Sequence, residues 1–402
     1  MRMRSRHFWL ALAVAGVLAG CASEDVIEPA PLPDSTSIEP KPLWSESIGS
    51  GLGEGYSRLT PAVAEGKVYA ADYEGQVEAL DAATGDRIWE QNLTSDVNPQ
   101  PSSSWYEFWK WFSSAPPART AGAVGLGGGL VLVGTLDAEV IALDAATGTE
   151  KWRNLVSSEV VAPPAYADGK VLARTVDGKL FALDAETGKR SWTYDRTVPI
   201  LSLRGTSTPV SAHGAAIATF DSGKVSAITL NEGRVIWEKS LVPANGRTEF
   251  DRVGDIDADP VVLDDVVYVV SYHGQVAALD LRNGETLWQR ELSAHEQLGV
   301  DADNVYVVDE QSHVRAIERR SGATVWTLNE LHDRGLTGPV SFGQYVVVGD
   351  EEGYVHFLDR TDGHYLGRYE LDSDGIVSTP IVVDDTLYVY ARSGDLAAFK
   401  LP

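Results

Sequence analysis

From residue 43 onward, short runs of alternating apolar and polar residues dominate the chain, and turn-forming residues separate them. Val77-Glu78-Ala79-Leu80 is one such run, closed at Asp81 and followed by Ala83-Thr84-Gly85. A period of two is what a half-buried strand requires, and helical periodicity is nearly absent. The pattern predicts a protein built almost entirely of strands.

The runs also repeat. GQVEALDAATGDRIW (Gly75–Trp89), AEVIALDAATGTEKW (Ala138–Trp152) and GKLFALDAETGKRSW (Gly178–Trp192) share one plan. GKVSAITLNEGRVIW (Gly223–Trp237), GQVAALDLRNGETLW (Gly274–Trp288) and SHVRAIERRSGATVW (Ser312–Trp326) keep it. A seventh copy, GYVHFLDRTDGHYLG (Gly353–Gly367), has glycine in place of the tryptophan, and an eighth, GDLAAFKLP (Gly394–Pro402), stops halfway. Each unit reads as strand, tight turn and a strand opened by tryptophan. Two short strands precede it, as in TPAVAEGKVYAAD (Thr60–Asp72) with Glu65-Gly66 as a hairpin turn. Four antiparallel strands make one propeller blade, and the tryptophan spacing of 38 to 63 residues brackets the usual repeat of about 40–50. The expected fold is all-β: an eight-bladed β-propeller of four-stranded antiparallel blades spanning residues 43–402.

The incomplete eighth unit lacks an outer strand, while Leu43-Trp44-Ser45-Glu46 is an outer strand with no unit before it. Joining them closes the ring with an N-terminal strand and leaves no open blade edge. Seven tryptophans (44, 89, 152, 192, 237, 288 and 326) are then expected to pack between neighbouring blades.

Ahead of the repeats, residues 1–20 carry Arg2, Arg4 and Arg6 followed by an apolar run from Phe8 to Ala19, as in a signal peptide. The run is short for a membrane span. Leu18-Ala19-Gly20-Cys21 resembles the lipobox of bacterial lipoproteins, which implies cleavage before Cys21 and acylation, including palmitate, of that residue. Ala22 after the cysteine favours the outer membrane by the same resemblance. Residues 21–42, rich in Pro, Glu, Asp and Ser, read as a lipid-anchored flexible tether. Cys21 is the sole cysteine, so no structural disulfide and no cysteine-based zinc site is expected. The formal charge of −25 becomes −28 once residues 1–20 are removed, which argues against nucleic acid as a partner and against direct adhesion to anionic lipid.

Catalytic motifs are missing. No Gly-Lys pair precedes Ser or Thr, Gly125-Leu126-Gly127-Gly128-Gly129 lacks dinucleotide spacing, and no G-x-S-x-G elbow occurs. The histidines show no zinc-ligand pair. Asp255-Ile256-Asp257-Ala258-Asp259-Pro260 fails as a calcium loop, with proline at the sixth position and Val266 at the twelfth, and reads instead as an exposed acidic loop. No metal and no cofactor is expected.

The A-x-D-x-x-T-G-x-x-x-W repeat resembles that of pyrroloquinoline quinone dehydrogenases, whose catalytic domain is also an eight-bladed propeller. That resemblance implies an alternative reading as a dehydrogenase-like enzyme. Many of those enzymes carry a disulfide between adjacent cysteines beside the cofactor, which this chain cannot form, and no cofactor-binding set is evident. Across the lipobox, tether, eight repeats and closing strand, the chain also resembles the BamB family of outer-membrane protein assembly factors. Two loops carry the likeness: Ile200-Leu201-Ser202-Leu203-Arg204-Gly205 between the third and fourth units, and Asp251-Arg252-Val253-Gly254-Asp255-Ile256-Asp257 between the fourth and fifth. The resemblance implies a non-catalytic scaffold, lipid-anchored in the outer membrane and facing the periplasm. It implies that Leu201, Leu203, Arg204, Asp255 and Asp257 meet the POTRA domains of BamA, and that other assembly-machinery subunits are reached through BamA. It leaves open whether unfolded outer-membrane proteins are also bound. On the residues alone, the leucines could equally cap the propeller while Arg204 pairs with an aspartate of its own chain.

One stretch stands apart. Between the first and second units, a loop insertion at about 94–120 gathers Trp105, Tyr106, Phe108, Trp109, Trp111 and Phe112, in a chain whose aromatics are only 9% of residues. Trp105, Phe108, Trp109 and Phe112 share the spacing of one helix face. Three readings stand: a lid folded back on the propeller, an accessory partner surface, or insertion into the membrane interface.

Overall fold

The computed structural model describes residues 28–34, 36–53, 59–95, 116–121, 124–195, 207–241, 256–272 and 274–401. The described residues form eight four-stranded antiparallel sheets and no helix. Blade one comprises strands Ala62–Ala64, Lys67–Ala71, Gln76–Asp81 and Arg87–Asn92, running from the ring centre outward. Blades two to seven follow over residues 125–155, 165–194, 210–240, 261–291, 299–328 and 340–370. Blade eight takes three strands from residues 381–400, and Pro42–Ser47 supplies its outermost strand by pairing antiparallel with Asp395–Lys400. The ends of the propeller are thus hydrogen-bonded neighbours, as expected.

Each blade's third strand is buried along its length, because blades pack face to face and both faces are covered. Eight apolar clusters follow, one at each junction. The cluster of Trp44, Ile48, Leu59, Val68, Leu80, Tyr388 and Leu396, for example, joins blade eight to blade one.

The tryptophans act as latches between blades. In seven blades the tryptophan lies across from a small residue on the third strand, as in Ala79 opposite Trp89 and Ala227 opposite Trp237. A register slip beside each pair turns the side chain toward the next blade. There its indole N–H donates to a backbone carbonyl: Trp44 to Ala82 at 3.1 Å, Trp192 to Leu230 at 2.7 Å, Trp237 to Leu281 at 2.7 Å, Trp326 to Arg360 at 3.0 Å. The ring lies on the glycine of that blade's turn. A Cβ on Gly284, whose φ is +72°, would come within 2.6 Å of the Trp237 ring. The Thr-Gly-x-x-x-Trp repeat therefore encodes a contact in which each blade's glycine receives the previous blade's tryptophan.

Blade seven breaks the rule by exchanging sizes: Phe357 stands opposite Gly367. Blade eight ends where the receiving turn would be. Phe357 packs edge-on to Phe399, which meets Tyr369 in the same way, and Ile38 joins them from outside. A Cβ on Gly367 would fall 2.5 Å from the Ile38 carbonyl oxygen, so the backbone of residues 37–38 occupies the space left free.

The expectation of a flexible tether over 21–42 does not hold for its described part. The Ser37 and Ile38 N–H groups donate to the Leu366 carbonyl at 2.7 and 3.2 Å, and Arg368 donates to the Pro33 carbonyl at 2.8 Å. The Ala30 N–H donates to the His332 carbonyl at 3.0 Å, and Arg334 donates to the Ala30 carbonyl at 2.7 Å. Proline-rich composition suggested a free chain, but extended backbone of that kind also fits along a strand edge.

Arg334, on the crossover from blade six to blade seven, is buried with Asp350 and His356 of blade seven. Arg334 donates to Asp350 at 2.7 Å and to Glu352 at 2.5 Å, while the fully buried His356 lies 2.9 Å from Asp350 and 3.3 Å from the Tyr365 hydroxyl. Burial pushes the His356 imidazole below its ordinary pKa. Burial would raise Asp350, but hydrogen bonds from His356, the Tyr354 N–H and Arg334 outweigh it and hold this carboxyl below its usual range.

Two predictions follow from these contacts. Trp237→Ala is expected to lower stability by about 3–5 kcal/mol in denaturant unfolding, and Gly284→Ala to lower it separately. The double variant should lose less than the sum, because the alanine no longer meets an indole. The second concerns acid. The folded protein keeps His356 neutral while the unfolded chain takes up a proton near pH 6.5, so its stability contribution shrinks as pH falls below that value. Asp350 adds a loss only at lower pH, near and below 3.8. Melting temperatures at pH 7.5 and 5.5 should therefore show His356→Asn closing part of its gap to wild type on acidification.

Candidate partner surface

In an antiparallel four-stranded blade the outer strand returns to the next blade's inner strand on one face of the ring, here called the crossover face. Residues 195–209 cross from blade three to blade four, and residues 241–260 from blade four to blade five. Leu201, Leu203, Arg204 and Asp255 lie on these crossovers and outside the described residues. Asp257 is described, and it is buried at 5% exposure between the buried Ile256 and Ala258. The expectation of an exposed acidic loop over 255–260 is therefore corrected for its described part, residues 256–260. This stretch descends into the ring as the root of blade five, and its apolar residues carry the aspartates inward.

The roots of the two crossovers are tied together. The Thr208 N–H, just before blade four, donates to Asp259 Oδ1 at 2.5 Å, and the Asp259 N–H donates to Gln297 Oε1 of the next crossover at 2.7 Å. Thr208, Val210, Asp259, Val262, Gln297 and Ile381 line a central cavity of about 440 Å³. The first root is pinned more deeply. Arg174 of blade three donates to Ser207 and forms an ion pair with Asp221 of blade four, and the Thr219 hydroxyl donates to Ser207 Oγ at 2.7 Å. Arg174 and Asp221 are 3% and 5% exposed, and the guanidinium lies over the Phe220 ring at 5.7 Å. A buried charge of this kind is tolerated only with its partner in place.

Sequence reasoning missed this support. Asp259 was seen only as part of the acidic run, and Thr208 gave no signal. Arg174 had one: it ends a second strand whose counterparts in blades one, two and five, Ala71, Gly134 and Val270, are small or apolar.

On the same face, between blades six, seven and eight, a cavity of about 230 Å³ is lined by Glu296, Asp309, Glu310, Glu351 and Arg392. Burial would raise the Asp309 carboxyl, but the Arg315 guanidinium at 2.9 Å and the His313 N–H groups hold it below the usual range. Among the described residues no group of three or more candidate ligands could hold a metal ion. Nor is any helix long and apolar enough to cross a membrane.

The aromatic residues Trp105, Phe108, Trp109 and Phe112 lie outside the described residues, as does Cys21. The two ends of their insertion are described and form a closed neck. Thr94 bridges antiparallel to Pro117, the Ser95 N–H donates to the Pro116 carbonyl at 2.9 Å, and the Ala118 N–H donates to the Leu93 carbonyl at 3.0 Å. Arg153 braces the neck from blade two by donating to the Thr94 carbonyl at 2.6 Å.

A family model described as outer membrane protein assembly factor BamB matches residues 106–328 and 310–401. A model described as glucose/ethanol/alcohol dehydrogenase, beta-propeller domain, matches residues 44–152. Outer membrane protein assembly factor BamB of Yersinia pestis is 40% identical over 393 residues, covering 96% of this chain and 97% of that protein. The protein of the same name from Pseudomonas aeruginosa is 41% identical over 97% of both chains. Among solved structures, BamB from Moraxella catarrhalis matches with a TM-score of 0.77 at 27% identity, over 90% of this chain and all of that one. A europium-containing methanol dehydrogenase matches with a TM-score of 0.67 over 90% and 93% of the two chains, but at 16% identity, a likeness of fold alone.

Asp221→Ala would leave Arg174 buried without its counter-charge. It is expected to cost about 3–5 kcal/mol in denaturant unfolding, while Arg174→Met/Asp221→Leu together should cost far less. Equal losses in the two variants would show that the ion pair does not hold the root.

Proposed function

Because the chain belongs to the BamB family of outer-membrane protein assembly factors and has a role in outer-membrane protein assembly, we propose that it is a non-catalytic scaffold subunit that binds the POTRA domains of BamA. In this reading Leu201 and Leu203 anchor in a groove of the partner, while Arg204 and Asp255 set register and orientation. The supporting observation is the Thr208–Asp259 hydrogen bond, which draws together the roots of crossovers whose motifs are fifty residues apart in sequence. Loops rooted side by side can be met by one partner. Asp257 would act by stiffening the second root, since it is buried.

The other subunits of the machinery would be reached through BamA. Acylation at Cys21 would hold the scaffold at the outer membrane on the periplasmic side, and the aromatic insertion would add an accessory partner or membrane surface. The dehydrogenase-like alternative gains nothing beyond shared fold.

The test is binding of the mature domain, lacking residues 1–21, to the purified POTRA domains of BamA from the same cell. Leu201→Ala/Leu203→Ala/Arg204→Ala should weaken binding at least about tenfold, equivalent to ~1.4 kcal/mol, with circular dichroism unchanged. Deleting residues 105–112 should leave binding intact. Binding lost only in that deletion would transfer the interface to the insertion, and no binding by wild type would remove the scaffold reading.

A further inference from the structure

The packed N-terminal segment decides from which face of the ring the chain departs. The closing strand Pro42–Ser47 is an outer strand, and outer strands run toward the crossover face. Pro42 therefore lies at the opposite face, and a free tether would leave from there. Residues 30–38 reverse this. They run antiparallel along the outer strand Tyr365–Glu370 of blade seven, with Ser37 and Ile38 at its start, on Leu366, and Pro33 further along, at Arg368. Ala30 then reaches the crossover between blades six and seven, where His332 and Arg334 bind both of its backbone polar groups.

This clamp is built into the core. Arg334 is 3% exposed; Asp350, Glu352 and the Tyr354 ring contact it directly, and the buried His356 holds Asp350 in turn. The Ala30 carbonyl satisfies a guanidinium N–H that would otherwise face the interior, and Ala30 is itself only 3% exposed. Ile38 occupies the junction where blade seven lacks a tryptophan. A buried donor needs an acceptor, and for the Arg334 Nη1 group the Ala30 carbonyl supplies it.

We propose that this clamp reroutes the N-terminus to the crossover face and so turns that face toward the lipid surface in which the chain is anchored. The inference rests on the reading of Cys21 as the lipidated residue. From Cys21 to the clamp at Ala30 is nine residues, a reach of at most about 30 Å, whereas an unclamped chain would have twenty-one residues to Pro42 and reach about 70 Å. The phospholipid headgroup layer is thus held within a short leash of the blade six–seven crossover, in a sector of this face apart from the crossovers of blades three to five that carry the motifs for the protein partner.

The experiment uses the full lipidated chain in phospholipid vesicles with an acceptor dye on the headgroup. Glu330→Cys and Arg320→Cys, each carrying a donor dye, mark the two ends of blade six. Both positions are exposed, Glu330 on the crossover and Arg320 in the turn on the opposite face. Energy transfer should be greater from position 330. Replacing residues 29–38 by a Gly/Ser segment of equal length should reverse the order. Equal or greater transfer from position 320 in the otherwise unchanged chain would overturn the proposal, as would an order insensitive to the replacement.

Two further readouts separate the clamp from the lipid reading. Hydrogen exchange on the unlipidated mature chain should protect the Ala30, Ser37 and Ile38 amides, and their exposure would overturn the clamp whatever the state of Cys21. Flotation with vesicles that persists in Cys21→Ala would overturn the anchor, and the leash with it, while leaving the clamp measurable.

Discussion

A ring must close, and every junction in it constrains all the others. The contact that meets this constraint is a tryptophan reaching from each blade onto the next blade's turn, donating through its indole N–H and lying on a glycine. The geometry is repeated at seven junctions, so the angle between blades is set seven times by the same two residue types. Small residues opposite each indole and a register slip beside it are parts of the same device. Everything else in the propeller is positioned by that repetition, including the crossovers that carry the candidate partner surface.

The eighth junction does not use it: Phe357 and Gly367 stand where the other blades have alanine and tryptophan. The exchange of Ala/Trp for Phe/Gly at 357 and 367 fills the core with an aromatic cluster and leaves a shallow place on the rim. The N-terminal segment takes that place. Closure therefore depends on two pieces of the same segment: the strand that pairs with the last blade and the stretch before it that covers the junction. The buried Arg334 network binds this cover to the ring through Asp350 and His356 of blade seven.

The fold was legible because the repeat is written in side chains. Trp, Gly and alternating apolar residues are visible at fixed spacing, and their spacing alone implied blades and closure. The N-terminal cover was not legible, since its contacts are backbone groups of Ala30, Pro33, Ser37 and Ile38, and backbone hydrogen bonds leave no residue signature. Asp257 and Asp259 misled for a different reason: three acids in five residues look solvated, but Ile256 and Ala258 between them are drawn into the core. The Arg174–Asp221 pair joins residues from different blades, so its partner could not be named from sequence. Of the candidate site, the loops were legible as motifs, whereas what roots them was not.

The neck at Thr94 and Pro117 separates the insertion from the ring. Backbone bonds at Ser95 and Ala118 complete the neck on the propeller's side. Loop-closure entropy grows only slowly, by about 0.6 kcal/mol for each doubling of length. Such a site lets evolution lengthen, shorten or replace the segment almost independently of folding, and it offers a protein engineer a place to graft a foreign domain without rebuilding the ring.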